Sequence, residues 1–264
     1  MWNSKLQQRR RAKNCAVNGW LTLPCAFAAE LMAHQGWDAL TIDMQHGLTD
    51  YQTATAMLTA ISTTDTAPLV RVPWLEEGIV MKMLDAGAHG VICPMINTRA
   101  EAERFAAAVR YPPLGGRSFG PLRAALTGGA DYHRQANASV LALAMVETRQ
   151  ALENLDEILA VPGLDGIYIG PADLACSLGC EISFTPTAGA VAEAVDRILA
   201  ACKKHRAFAG IHTGSPEFAR AMGGKGFDLV TVLSDARLLA AAAGAAVSAA
   251  RGAALDGGAT LQDC

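Results

Sequence analysis

Acidic side chains stand at the ends of two apolar segments of this 264-residue chain. Glu147 follows the run Leu141–Val146, and Asp173 follows the turn Gly170-Pro171-Ala172. Two carboxylates at neighbouring segment ends can bind one hard divalent cation and leave coordination positions open for substrate oxygens and water. Asp173 could instead cap the helix that follows, because Asp is a common N-cap residue. The pair therefore indicates a metal site, with a capping role for Asp173 as the alternative.

Two further side chains that could take part in chemistry, Arg71 and His46, lie within or just after apolar runs of this kind. Arg71 lies inside the apolar run Leu69–Pro73, where a permanently charged side chain must find an anion. That anion could be a ligand carboxylate or enolate, or it could be the buried partner Asp43. His46 follows Asp43 in a turn closed by Gly47, where it could be exposed and titrate near neutrality. A lone histidine is more often structural, so His46 by itself indicates little.

The segment from Gly170 to Asp173 is typical of a strand that passes directly into a helix. Backbone N–H groups at a helix N-terminus can bind a small carboxylate. We therefore expect Gly170, Pro171, Ala172 and Asp173 to contribute to substrate binding, and a plain turn without a ligand is the alternative.

These residues must be positioned by an alternation of short β-rich runs with longer helical runs. The predicted strands are Ala16–Leu23, Ala39–Asp43, Leu69–Val72, Gly90–Pro94, Leu141–Glu147, Gly166–Gly170, Ala209–His212 and Leu229–Leu233. The clearest predicted helices are Phe27–His34, Asp50–Ser62, Glu76–Ala86, Arg99–Val109, Ala188–Lys204 and Asp235–Ala250. Eight such pairs favour an α/β fold with a single (β/α)8 TIM barrel over residues 1–264, whose strand ends would bring the polar residues to one mouth. An open doubly wound sheet is the alternative, but no GxGxxG motif follows the first strand.

Composition excludes several classes of protein. The 22 Lys and Arg residues against 25 Asp and Glu give a formal net charge of −3, so nucleic acid is not an expected partner. No run reaches the about 18 apolar residues of a membrane span, and no signal peptide is recognisable. The seven cysteines contain no CxxC pair and predict no disulfide framework. The chain is thus expected to be cytoplasmic.

Two segments depart from the alternation. Residues Tyr111–Asn137 contain repeated Pro and Gly pairs and form a connection too long for an ordinary loop, a feature that is often functional. Its Arg117 and Arg123 could bind an anionic group of a substrate, or could be exposed charges or ion-pair partners. The tail 251–264 is expected to fray.

Together, these positions and several short motifs resemble the HpcH/HpaI aldolase family of class II pyruvate aldolases. The resemblance runs from about Gly19 to about Asp235. It is carried by Gly19-Trp20-Leu21, Ile42-Asp43-Met44-Gln45-His46-Gly47, Val70-Arg71-Val72-Pro73, Leu84-Asp85-Ala86-Gly87-Ala88, Tyr111-Pro112-Pro113, Arg117-Ser118-Phe119-Gly120-Pro121, Val146-Glu147-Thr148 and the segment from Gly166 to Leu174.

The resemblance implies a divalent cation held by Glu147 and Asp173, with magnesium or manganese expected and cobalt as a further candidate. It implies that pyruvate chelates the cation, that Arg71 stabilises the enolate oxygen and that His46 acts as acid and base. The reaction would make or break a 4-hydroxy-2-oxo acid from or to pyruvate and an aldehyde. Two departures from the family pattern, Gln45 in place of glutamate and Met145 in place of glutamine, put substrate range and metal preference in question.

The resemblance also pairs the histidine with an aspartate that matches Asp85. Asp85 is predicted at the end of a helix that precedes a strand, which is the opposite end of the barrel from His46. Either Asp85 serves the site of a neighbouring subunit or it is structural. The family forms homo-oligomers, usually hexamers built from dimers.

Three other functions stay open. A Schiff-base aldolase needs a lysine at the mouth, but none of the six lysines falls on a predicted strand. A CoA-ester lyase of the citrate or malyl type would need additional surface for the large cofactor. A non-catalytic barrel that binds a 2-oxo acid would retain the pocket without turnover.

Overall fold

The computed structural model describes residues 4–252, and its centre is a closed barrel of eight parallel strands. The strands are β1 (Ala16–Leu21), β2 (Ala39–Asp43), β3 (Ala67–Arg71), β4 (Gly90–Cys93), β5 (Leu141–Val146), β6 (Gly166–Ile169), β7 (Phe208–Thr213) and β8 (Leu229–Val232). Each strand pairs with the next, and β8 pairs with β1 through Thr231 opposite Asn18. The predicted (β/α)8 TIM barrel is therefore confirmed.

Helices connect the strands and surround the barrel. They are α1 (Lys5–Ala12), α2 (Ala26–Ala33), α3 (Tyr51–Ile61), α4 (Glu77–Asp85), α5 (Arg99–Val109), α6 (Leu122–Gly128), α7 (Tyr132–Ser139), α8 (Arg149–Glu153), α9 (Leu155–Leu159), α10 (Pro171–Leu178), α11 (Gly189–His205), α12 (Pro216–Lys225) and α13 (Asp235–Ala250). The six predicted helices are present, with ends that move by one residue at most. No helix among residues 4–252 is long and apolar enough to cross a membrane.

Alternate residues of each strand point into the barrel or outward to the helices. The inward side chains form a separate apolar cluster that includes Leu69, Leu143 and Phe208, and Leu6 of α1 joins it from the side of the strand N-termini. A larger cluster lies between the outer barrel surface and the helices. Side chains thus fill the barrel interior.

Strand ends differ slightly from the prediction. Glu147 and Gly170 lie just after β5 and β6, and β3 begins two residues earlier than predicted, at Ala67. These differences leave the polar residues on the face formed by the strand C-termini. The predicted fraying of the tail concerns residues that are almost all outside the described part of the chain.

The long segment 111–137 is not a simple loop, because it contains α6 and most of α7. Arg117 Nη2 donates to Asp85 Oδ1 over 2.6 Å, and Arg123 Nη1 donates to the carbonyl of Ala86 over 2.7 Å. Both contacts lie where α4 ends, before β4 begins. The segment therefore covers the face formed by the strand N-termini, and neither arginine reaches the mouth of its own barrel. Arg117 is therefore an ion-pair partner, which is one of the roles that the sequence left open for it.

Tight packing between β6 and β7 generates a prediction. A Cβ at Gly166 would lie 1.9 Å from the carbonyl oxygen of Phe208, so Gly166→Ala must displace backbone. We expect a loss of about 1–3 kcal/mol in the free energy of unfolding, measured by chemical denaturation. Gly244→Ala is the matched control, because a Cβ there meets nothing within 4 Å and alanine favours the helix. Equal stabilities of the two variants would contradict the packing argument.

Candidate active site

A cavity of about 450 Å³ opens at the C-terminal ends of the strands. Side chains or backbone from β1, β3, β5, β6 and β7 line it, together with the loops that follow β2, β6 and β8. Of the predicted site residues, His46, Arg71, Asp173 and the turn Gly170–Ala172 lie at this cavity. Active sites of barrel enzymes occupy this face.

A buried ion pair at the mouth joins Arg71 to Asp43. Arg71 Nε donates to Asp43 Oδ1 over 2.8 Å, and Nη2 donates to Oδ2 over 2.6 Å. Both side chains are buried, and the guanidinium also lies over the ring of Trp20 at 4.8 Å. Burial would raise the pKa of Asp43, but hydrogen bonds and the charge of Arg71 lower it below its usual value. The buried partner is therefore Asp43, and Arg71 still faces the cavity.

Glu147 directly follows β5 and is buried, and it is not among the side chains that line the cavity. Its Oε1 accepts a hydrogen bond from the backbone N–H of Met95 over 2.8 Å. Its Oε2 is buried and has no hydrogen-bond partner among residues 4–252. Burial raises the pKa of Glu147 to about 7, and the negative charge of Asp173 adds to the effect. A buried carboxylate oxygen without a donor is costly, and a bound cation would offset that cost.

Asp173 is exposed and is the third residue of α10. Gly170 is the N-cap of this helix, so the alternative in which Asp173 is the cap is wrong. A Cβ at Gly170 would lie only 2.5 Å from Glu147 Oε2, and glycine therefore keeps this approach open. The N–H groups of Ala172 and Asp173 belong to the first helical turn, where intrahelical acceptors are lacking.

These residues fit a hard divalent cation. The described part of the chain contains no group of three or more His, Cys, Asp or Glu side chains arranged to hold a metal. Glu147 and Asp173 would thus supply two carboxylates, and substrate oxygens and water would complete the coordination. The partnerless Glu147 Oε2 is the structural feature that such an ion would satisfy.

His46 is exposed on the turn after β2. The backbone N–H groups of Gln45 and His46 donate to Asp43 Oδ1 over 3.0 and 3.3 Å. A Cβ at Gly47 would lie 2.2 Å from the carbonyl oxygen of Asp43, so this tight turn requires glycine. The same carboxylate that binds Arg71 therefore positions the His46 backbone.

Asp85 lies at the other end of the barrel, as its place in the sequence predicted. It is the last residue of α4, and its Oδ1 accepts the hydrogen bond from Arg117. About 20% of its side chain stays exposed. The structure thus does not bring Asp85 to His46 within one chain.

Several cavity residues were not assigned from the sequence. His212 is the last residue of a predicted strand and was assigned no role from the sequence. It forms an edge-to-face contact with Trp20 at 5.1 Å. Its Nδ1 lies 3.5 Å from the hydroxyl of Tyr168, which stacks on Trp20. Arg237, in the first turn of α13, was missed entirely. The rule that polar residues gather after strand C-termini would have selected Arg237, because β8 ends only five residues earlier.

The environment of His212 generates a prediction about acid stability. Burial lowers the pKa of His212 to about 3, and the charges of Arg71 and Arg237 add to the effect. An unfolded histidine has a pKa near 6.5. Below that pH the imidazole binds a proton in the unfolded state but not in the folded state. The free energy of unfolding therefore falls as the pH decreases from about 6.5 towards about 3. We expect His212→Phe to lose stability less steeply than wild type between about pH 7 and about pH 4.5 in denaturant titrations. Parallel curves for the two proteins would mean that His212 is easily protonated in the folded state.

Known proteins share this fold and much of this sequence. A profile of the HpcH/HpaI aldolase/citrate lyase family matches residues 19–242. A hydroxypyruvate/pyruvate aldolase from Rhizorhabdus wittichii is 45% identical over 240 residues, covering 89% of this chain and 94% of the relative. An enzyme of the same name from Deinococcus radiodurans is 38% identical over 229 residues, covering 85% of this chain and 81% of the relative.

A crystal structure of a family protein from Burkholderia cenocepacia superimposes with a TM-score of 0.83 at 34% identity, covering 93% of this chain and 98% of that one. The profile extends over all eight strands except the start of the first. This protein therefore belongs to the HpcH/HpaI aldolase/citrate lyase family.

Proposed function

We propose that this protein is a divalent-metal-dependent carbon–carbon lyase that interconverts 4-hydroxy-2-oxo acids with pyruvate and an aldehyde. The observation that carries the proposal is the buried, partnerless Oε2 of Glu147, beside the exposed carboxylate of Asp173 at the barrel mouth. Relatives named hydroxypyruvate/pyruvate aldolase and 4-hydroxy-2-oxo-heptane-1,7-dioate aldolase support it. Metal dependence is a trait of this family.

In this proposal Glu147 and Asp173 hold the cation, for which Mg²⁺, Mn²⁺ and Co²⁺ are the candidates. The cation, when bound, polarises the keto group of the substrate as a Lewis acid. Glu147 is fixed for this purpose by the Met95 N–H on its other oxygen. The N–H groups of Ala172 and Asp173 orient the carboxylate of pyruvate at the start of α10.

Arg71 stabilises the negative charge that develops on the keto oxygen. When a 4-hydroxy-2-oxo acid is cleaved, the bond between its third and fourth carbons breaks and the electron pair moves towards that oxygen. Because Asp43 holds two of its nitrogens and Trp20 covers its face, the guanidinium keeps one orientation towards the cavity. A preorganised donor of this kind stabilises the transition state more than the ground state.

His46 handles the proton of the hydroxyl group. In the cleavage direction it accepts the hydroxyl proton as the aldehyde forms, and the enolate takes up a proton at its third carbon to give pyruvate. In synthesis the third carbon of pyruvate loses that proton, and His46 donates a proton to the new alkoxide. Its exposed position at the rim lets it exchange protons with solvent. A Schiff-base mechanism has no suitable residue, since all six lysines lie on helices or just after one, away from the strands.

We further propose that the chain works as a homo-oligomer in the cytoplasm, with the hexamer as the expected form. On α13, Leu239 and Val247 are exposed, and near Asp85 the side chains of Phe119, Leu122 and Leu126 are exposed to 69%, 90% and 83%. Apolar side chains exposed to this degree are typical of surfaces that another subunit covers. The six cysteines in the described residues are free thiols, which fits a reducing compartment.

The metal assignment predicts the behaviour of two near-isosteric variants. Glu147→Gln and Asp173→Asn should each lower turnover by more than the about 10- to 100-fold typical of losing an outer-shell partner. Pyruvate released from a panel of 4-hydroxy-2-oxo acids measures activity, and calorimetric titration with Mn²⁺ measures affinity independently. EDTA should abolish wild-type activity, and added Mn²⁺ or Mg²⁺ should restore it.

Asp131→Asn changes an exposed carboxylate in the segment that covers the opposite end of the barrel; it is the matched control and should behave like wild type. Activity that survives EDTA, or either ligand variant with normal Mn²⁺ affinity, would exclude the metal assignment. A protein that binds 2-oxo acids but releases no pyruvate would be the non-catalytic alternative. Cleavage of CoA esters alone would favour a CoA-ester lyase.

The position of Asp85 predicts complementation between subunits. If Asp85 completes the His46 site of a neighbour, His46→Ala and Asp85→Ala should each be impaired, by about 10²–10⁴-fold for the histidine. Mixed oligomers of the two variants should regain part of the wild-type activity, because some interfaces then pair an intact His46 with an intact Asp85. Differently tagged subunits must first show that exchange occurs. Proven exchange without recovery would make Asp85 a structural partner of Arg117.

A further inference from the structure

Arg237 is half-buried and differs from the other buried or half-buried arginines among the described residues. Arg71, Arg110 and Arg117 each form an ion pair with an aspartate, at 2.6, 2.5 and 2.6 Å. Arg123 instead donates to two backbone carbonyls and the Ser62 hydroxyl. The guanidinium of Arg237 makes no hydrogen bond and no ion pair with any residue between positions 4 and 252.

The surroundings of Arg237 explain why it has no protein acceptor. Asp235, two residues earlier, is occupied by the N–H and hydroxyl of Thr22 and by the N–H of Leu23, at 2.8 to 3.2 Å. The Ser234 hydroxyl accepts from the backbone N–H of Arg237 as the helix cap. Burial lowers the pKa of Arg237, and no carboxylate offsets that effect. A partly buried guanidinium without an acceptor is unfavourable unless a ligand supplies an anion.

Arg237 is also held in place. Its Cζ lies over the ring of Phe184 at 4.5 Å, a cation–π contact that orients the planar guanidinium. Phe184 in turn contacts the ring of His212 at 5.9 Å. Phe184, His212 and Arg237 all line the cavity at the mouth. The side chain is thus positioned as a binding group, and its hydrogen-bond donors are unused.

We propose that Arg237 binds an anionic group, a carboxylate or a phosphate, at the far end of the acceptor aldehyde. This inference rests on the proposed aldolase function and specifies its second substrate. The pyruvate half is assigned to Arg71 and the Gly170–Asp173 turn, and the cavity of about 450 Å³ leaves space for a second small molecule. The planar guanidinium can bind two oxygens of either anion at once.

Paired aldehydes test the proposal, because each pair differs in its terminal charge. With saturating Mn²⁺ and pyruvate, kcat/KM is measured for succinic semialdehyde against butanal, and for glyceraldehyde 3-phosphate against glyceraldehyde. Arg237→Ala should lower the ratio of anionic to neutral aldehyde by about 10- to 100-fold in at least one pair. The pair that responds identifies carboxylate or phosphate as the recognised group.

Two further variants sharpen the test. Arg237→Lys keeps the charge but loses the planar fork, so it should recover only part of the ratio. Arg220→Ala removes an exposed arginine of α12 and should leave the ratio at the wild-type value. Added salt should lower the ratio in wild type and have little effect on it in Arg237→Ala.

Failure of this inference is distinguishable from failure of the aldolase function. If wild type condenses all four aldehydes and Arg237→Ala changes neither ratio by more than about twofold, within the scatter of small surface effects, Arg237 is not an anion receptor. If wild type condenses none of them, the aldolase proposal fails. Ligand-observed NMR with succinate and inorganic phosphate then decides the role of Arg237: binding weakened at least about tenfold in Arg237→Ala supports the receptor, and equal binding excludes it.

Discussion

The buried ion pair between Asp43 and Arg71 organises the mouth of the barrel. Five donors converge on the Asp43 carboxylate: two nitrogens of Arg71, the indole of Trp20, and the backbone N–H groups of Gln45 and His46. Asp43 and Arg71 stand opposite each other in the β2–β3 register, and Trp20 comes from β1. Desolvating two charges is costly, and this pair is stable because nearly every carboxylate lone pair is satisfied. One carboxylate thereby fixes Arg71, the indole and the turn that carries His46.

The buried carboxylate of Glu147 has the opposite pKa shift to that of Asp43. Glu147 is as deeply buried as Asp43, but one of its oxygens has no donor within the described residues. Consequently the pKa of Glu147 is raised to about 7, whereas the pKa of Asp43 is lowered. The two pKa shifts are opposite because Asp43 accepts hydrogen bonds from the Arg71 guanidinium, Trp20 and two backbone N–H groups, whereas among the described residues Glu147 accepts one, from the Met95 N–H. This asymmetry is typical of a site that relies on an external cation to complete it.

The two ends of the barrel differ in structure. The C-terminal ends of the strands carry the cavity, while the segment 111–137 covers the other end and binds Asp85 through Arg117. The guanidinium of Arg117 is also stacked over Tyr111 at 4.4 Å, so Asp85 is held in a fixed direction. A residue fixed in this way, partly exposed and beside exposed apolar side chains, is suited to an interface with another subunit.

The sequence by itself determined the barrel and most of the polar residues at its mouth. Strand–helix alternation is local information, since β-rich runs and helical periodicity are visible within about ten residues. Placement at strand ends then selected Glu147, Asp173, Arg71 and His46, because parallel strands bring their C-termini to one face. The same reasoning correctly placed Asp85 at the opposite end. It missed α6 and α7, whose Gly- and Pro-rich flanks resemble those of a loop.

Only the tertiary structure decided how these groups are paired. The pairing of Arg71 with Asp43, of Glu147 with the Met95 N–H and of Arg117 with Asp85 depends on contacts between residues 28 to 52 positions apart. Arg117 and Arg237 are the same residue type in different surroundings. Arg117 forms an ion pair at the end of the barrel formed by the strand N-termini, whereas Arg237 faces the cavity and its hydrogen-bond donors are unused. Local sequence specifies the strand, helix or loop to which a side chain belongs. Whether its charge is satisfied depends on which distant groups the closed barrel brings within hydrogen-bond distance.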